Sequence, residues 1–137
     1  MVEQVLEDYR AAVYEKDAAA FADLYDQDAR VFDLWGRWSY DGSDEWRGAA
    51  EEWFASLGDG RVGVEFDDVR TVVGDDVAVL HAFVTYRGLS AEGEQLRAMN
   101  DRVTWGLRRQ PDGSWLIAHE HTSAPVEPET GKVTLQR

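Results

Sequence analysis

The chain has 137 residues, with 14 basic and 27 acidic side chains, giving a formal charge of −13 and a pI near 4.5. A hydrophobic share of 44% and an aromatic share of 12% exclude a disordered acidic chain, and the length suits one domain with its own core. The absence of cysteine excludes disulfides, thiolate zinc sites and cysteine nucleophiles, while the acidity argues against nucleic acid and anionic membranes as partners. Met1 runs directly into a charged amphipathic segment and no apolar run reaches membrane length, so a cytoplasmic domain is expected.

Val2, Val5, Leu6, Tyr9, Ala12 and Val13 follow the three-four spacing of an amphipathic helix that ends near Lys16. Asp17 caps a second, short helix with Phe21, Leu24 and Tyr25 on its inward stripe. From Ala29 to Trp35 the pattern changes to alternation, which predicts a strand. Asp41-Gly42 is a turn. A third helix, opened by Ser43 or Asp44, carries Trp46, Ala49, Ala50, Trp53, Phe54 and Leu57 and stops at Gly58-Asp59-Gly60.

Beyond Gly60 the chain reads as four long strands, over 62–73, 77–89, 95–109 and 115–123, separated by glycine- and aspartate-rich turns. Short connections make these an antiparallel meander. The expected fold is therefore α+β, with three N-terminal helices packed on a large antiparallel sheet. The tail, 127–137, has few apolar anchors and is expected to be loosely held. Strand 77–89 is apolar on both faces, which predicts a second subunit on the open face, and hence a homodimer.

Three phrases carry a family resemblance: Asp17-x-x-x-Phe21-x-x-Leu24-Tyr25, Ala29-x-Val31-Phe32-Asp33, and Asp112-Gly113-x-Trp115-x-Ile117-x-His119-x-His121-x-Ser123-Ala124-Pro125. In this order they resemble the SnoaL-like branch of the nuclear transport factor 2-like superfamily, over most of residues 2–126. That superfamily includes ketosteroid isomerases, polyketide cyclases and the association domain of calcium/calmodulin-dependent kinase II. The resemblance implies a strongly curved sheet around a long helix, forming a cone-shaped pocket for a small ligand. It also implies chemistry without a cofactor.

By resemblance to ketosteroid isomerase, Tyr9 is the oxyanion donor and Asp33 the proton shuttle. A neutral donor steadies a developing enolate, and a carboxylate among apolar walls is a stronger base. Each has a plainer explanation: Tyr9 as a core residue of its helix, Asp33 as a hydrogen-bonded structural carboxylate. The family's third acid, kept protonated, falls on Asp101 in one alignment and near Thr104 or Trp105 in another.

Sheet parity bears on that choice. A hairpin closed at Pro111-Asp112-Gly113 puts Arg102, Thr104, Gly106 and Arg108 on one face with Trp115, Ile117, His119 and His121. Asp101, Val103, Trp105 and Leu107 share the other face with Leu116, Ala118 and Glu120. The second face is the more apolar and is assigned to the core or dimer side, so Asp101 is expected to point away from the pocket.

The first face then offers Arg102, Thr104, His119 and His121 as a polar ligand site. A guanidinium forks onto a carboxylate, and an imidazole donates or shuttles a proton. The kinase association domain resembles the chain here, and its pocket accepts small carboxylates. The run 119–125 also resembles the signature of iota-class carbonic anhydrases, which carry His and Ser where this chain has Glu120 and Thr122. A metal held by His81, His119 and His121 is a weaker alternative than hydrogen-bonded histidines. Trp35 and Trp38 flank Gly36-Arg37 near the mouth of a cone and are candidate ligand walls; the other tryptophans read as core. Together these expectations describe a small-molecule-binding protein whose partner is a hydrophobic or carboxylate-bearing ligand. Isomerase or cyclase chemistry is the leading reading, and a non-catalytic binding or oligomerisation domain is the alternative.

Overall fold

Each helical stripe in the sequence buries its apolar side in the computed structural model, which describes residues 1–137. Helix α1 (Gln4–Tyr14) buries Val5, Leu6, Tyr9, Ala12 and Val13. Helix α2 (Ala18–Ala22) is capped by Asp17, whose Oδ1 accepts from the Ala20 N–H at 3.0 Å. Strand β1 (Tyr25–Phe32) starts four residues before the alternation suggests, and a two-residue strand β2 (Tyr40–Asp41) pairs with it. Helix α3 (Ser43–Ser56) is preceded by Gly42 at φ 91, so a glycine takes the cap position expected of Ser43 or Asp44.

Strands β3 (Arg61–Val73), β4 (Val77–Leu89), β5 (Gln95–Arg109) and β6 (Trp115–Ser123) form the expected meander. The sheet runs β2-β1-β6-β5-β4-β3. It is mixed rather than purely antiparallel, because β1 lies parallel to β6. Those two strands meet only after α3 and four intervening strands, ample chain for a parallel crossover. Register shifts interrupt β3 between Asp67 and Arg70, β5 at Leu96 and β6 at Ala118. Such bulges bend a strand, and here they let the open sheet curl over the helices as a cone.

The core lies in the hollow of that curve. Leu80, Trp105, Leu107 and Ile117 from the sheet are fully buried against Val13 of α1 and Phe21 of α2. The Tyr9 ring stands 5.3 Å from Phe21 and 5.5 Å from Trp105, bridging helix and sheet by tilted aromatic contacts.

Parity along β5 and β6 follows expectation as far as Gly106, with Thr104 opposite His121 and Trp105 opposite Glu120. One bulge then puts Leu107 opposite Ile117, which carries Ile117 onto the buried face. The apolar face, with Asp101, Val103 and Trp105, is the concave one. The outer face, left open to any second copy, is the polar one that bears Arg102, Thr104 and His121.

The C-terminal segment is not loose. Where β5 extends past β6, the Asn100 N–H donates to the Leu135 carbonyl at 2.7 Å and Gln136 Nε2 donates to the Ala98 carbonyl at 2.9 Å. Val126 and Val133 pair, and the Arg137 guanidinium sits 3.8 Å over the Phe83 ring. Removing residues 132–137 strips Asn100 of its acceptor. Hydrogen exchange at the Asn100 amide then rises by about tenfold or more, while Val103 and Trp105 stay protected.

Candidate functional site

Between the concave sheet and the helices lies a cavity of about 640 Å³, within the range of small-ligand sites. Its helical wall is Tyr9, Phe21, Trp46, Ala50, Trp53 and Leu57. Strands β4 and β5 supply Tyr86, Gly88, Arg97, Met99 and Asp101, and β6 supplies Glu120. Asp33, Trp35 and Tyr40 come from the end of β1 and the loop after it, and Leu135 and Gln136 complete the rim. The wall is thus largely apolar and aromatic, with three carboxyl groups set into it.

Asp33 sits one residue past β1, half-buried. The Thr122 hydroxyl donates to its Oδ1 at 3.0 Å and accepts from the Leu34 N–H at 2.8 Å. An ionised carboxylate can only accept, so the hydroxyl hydrogen points to Oδ1 and Thr122 orients the carboxylate. Desolvation raises the Asp33 pKa, against the lowering effect of the Thr122, Trp35 and Leu34 donors.

Glu120 is 2% exposed, and its Oε1 accepts from Tyr25 Oη at 2.6 Å and from Trp105 Nε1 at 2.8 Å. Burial pushes its carboxyl up to about 7 in spite of both donors. Asp101 is buried without such help: its Oδ1 has no hydrogen-bond partner. Desolvation first, then the charges of Glu120 and Asp33, push its carboxyl up to about 7. The Tyr9 hydroxyl lies 3.3 Å from that of Tyr86. Burial and the neighbouring Glu120 hold Tyr9 protonated well beyond the ordinary tyrosine range.

Tyr9, Asp33 and Trp35 therefore share one cavity, as expected from the sequence. Asp101 joins them, which corrects the expectation that it points away. The error lies in treating the apolar face as distinct from the pocket, when the pocket is hollowed out of the core. Trp46 and Trp53, expected as core alone, also face the cavity.

Arg102, Thr104, His119 and His121 do not line it. Arg102 and Thr104 border a shallow groove on the outer face with Asp68, Arg70 and His81. Arg102 Nε donates to Ser123 Oγ at 3.0 Å. His119 Nδ1 lies 2.8 Å from the Arg30 carbonyl, and the Phe32 ring packs edge-on against both His119 and His121. His81 pairs with Thr104 on β5, which pairs in turn with His121 on β6. Two strand spacings, about 10 Å, separate those rings' strands, and no three potential ligand side chains group around a metal position. Trp38 is 97% exposed in the loop between β1 and β2 and also lies outside the cavity. Sequence reasoning assigned no site role to Tyr86, Thr122 or Glu120; it noted Glu120 and Thr122 as departures from a motif and placed Glu120 on the apolar sheet face.

Asp101 and Glu120 bind a proton more tightly in the folded chain than in the unfolded one. Their contribution to stability is accordingly fullest below about pH 4 and declines as pH rises toward 7. Asp101→Asn removes one share of that cost. Urea denaturation should find it more stable than the parent by about 1–3 kcal/mol at pH 8, with the gain shrinking toward pH 5.

A crystal structure of a nuclear transport factor 2-like protein of unknown function from Pseudomonas putida superposes with a TM-score of 0.84 at 26% identity, covering 99% of this chain and 92% of that one. A Xanthomonas campestris protein provisionally assigned as a calcium/calmodulin-dependent protein kinase II association domain gives 0.72 at 22% identity, over 94% and 87% of the two chains. The Aln2 protein of a Streptomyces species gives 0.77 at 17%, over 89% and 87%. No curated protein matches the sequence. The SnoaL-like domain family matches residues 2–127, nearly the whole of the described fold. The chain belongs to the SnoaL-like domain family, with the cone fold of the nuclear transport factor 2-like proteins.

Proposed function

We propose that this protein binds a small, largely apolar molecule in its cavity and moves a proton on it without a cofactor, as isomerases and cyclases do. The observation that carries the reading is Asp101: a buried carboxyl whose Oδ1 has no partner, in an apolar cavity that also holds Asp33. An unsatisfied buried polar atom is costly, and a ligand oxygen is the natural group to satisfy it.

The roles follow from the environments. Asp33, oriented by Thr122 and partly desolvated, takes a proton from an acidic C–H and returns it at a second carbon. Asp101, protonated around and below pH 7, donates to the enolate oxygen that forms. Tyr9, supported by the Tyr86 hydroxyl, is a second neutral donor on the helical wall of the same cavity. Membership of the SnoaL-like family supports the class of chemistry. The alternative, a carboxylate site built from Arg102 and the histidines, loses support because those side chains lie outside the cavity.

The test uses 2-tetralone, a bicyclic ketone with acidic C–H bonds, in deuterated buffer. The protein should accelerate deuterium uptake at the α-carbon, and Asp33→Asn should lower that acceleration by about a hundredfold or more. Asp101→Asn should slow it less, since an amide still donates a hydrogen bond. An exchange rate that Asp33→Asn leaves unchanged would overturn the proton-transfer reading.

A further inference from the structure

Basic side chains in this acidic protein are mostly neutralised nearby. Eight arginines form ion pairs, from Arg10 with Glu7 to Arg108 with Asp26. Arg97 forms none, and it is the one cation in the cavity wall. Its guanidinium also donates no hydrogen bond within the chain.

Its position is built rather than incidental. Arg97 pairs across the sheet with Gly88, where a Cβ would come within 3.2 Å of the Arg97 Cγ and 3.5 Å of its Nε. The absent side chain lets the arginine stem lie down on β4. The bulge in β5 falls at Leu96, opposite Gly88 and Leu89 and beside the same spot. Residues 97, 99 and 101 share the concave face, so Arg97 and Asp101 stand at opposite ends of one cavity wall. Four residues of strand put about 13 Å between their backbones. Met99 and Tyr86 occupy the apolar stretch between them, and Gln136 lies at the arginine end.

We propose that Arg97 is the specificity residue of this cavity and that the ligand is a ring compound bearing a carboxylate distal to the carbon that Asp33 and Asp101 serve. This rests on the cavity being the ligand site, as set out above, and adds the ligand's charge and polarity. A guanidinium fork matches a carboxylate in two parallel bonds and stacks on ring edges. A monoanion fits better than a dianion. Three carboxyl groups line the inner wall and the whole chain carries −13, so each further negative charge is disfavoured. The arrangement also fixes orientation: the charged end is held at the mouth, and the uncharged rings go inward to the carboxyls.

The experiment compares 2-naphthoate with 2-naphthamide, equal in shape and different in one charge, by titration calorimetry on the full chain at pH 6.5 and low salt. The parent protein should bind naphthoate about tenfold tighter, the worth of one charge-assisted pair at a partly exposed site. Arg97→Gln should bring naphthoate down to the naphthamide level and leave naphthamide unchanged, which also shows that the cavity still folds. Gly88→Ala, which lifts the arginine stem, should reduce the naphthoate preference by a smaller factor. Added salt should erode the preference, since the guanidinium is exposed. Equal binding of the two compounds by the parent, or a preference that survives Arg97→Gln, would overturn the assignment of Arg97 while leaving the cavity reading intact. Failure of both compounds to bind would overturn the cavity reading as well. Asp33→Asn, which removes a nearby negative charge, should not lower the naphthoate preference, which separates recognition from proton transfer.

Discussion

One oxygen of Glu120 holds three strands together. Tyr25 of β1 and Trp105 of β5 both donate to Oε1 of this β6 residue, beneath a roof of helices. Without such donors a buried carboxyl would be strongly unfavourable there, and with them it becomes a rivet that adds a buried side-chain link to the backbone ladders. The aromatic cluster around Tyr9 packs on the same spot, so the rivet and the core support each other. Everything in the cavity wall is measured from this point. Asp101 stands on the neighbouring strand, Asp33 follows the strand that Tyr25 begins, and the charges of all three bear on Tyr9.

The arrangement has a physical cost that the fold absorbs. Three carboxyls in one apolar hollow repel when ionised, and burial already disfavours each charge. Only one is fully tied to donors. Asp33 has its orienting hydroxyl, whereas Asp101 has an oxygen with nothing to bind. An apolar residue at that position would carry no such cost, and this is why the proposed function rests on Asp101.

Much of the fold is legible in the sequence because it depends on local pattern. The limits of β4, β5 and β6 follow from alternation and turn residues, and the helices from their stripes. The two-residue β2 is too short for any pattern to register. The parallel pairing of β1 depends on where distant strands come to rest. The site is legible in part. Parity sorts Arg102 from Asp101 correctly, but it cannot say which face is concave, because that depends on the side the helices cover. The bulge at Ala118, which carries Ile117 inward, leaves no local signature beyond a lone glycine on the facing strand. Thr122 is ordinary strand composition until Leu34 and Asp33 come to lie beside it, and the tail finds its anchors only on the free edge of β5.

The hydroxyl of Thr122 has a stereochemical consequence. It accepts from the Leu34 amide and donates to Asp33 Oδ1, which engages that oxygen. Oδ2 has only a long 3.4 Å contact to the Trp35 amide. A carboxylate with one free oxygen collects a proton and gives it back from a single direction. In the proposed proton transfer that direction corresponds to one π-face of a planar enolate, so the hydrogen removed and the hydrogen restored would lie on the same side of the ring. The handedness of any rearranged product would then be written by a threonine that never touches it.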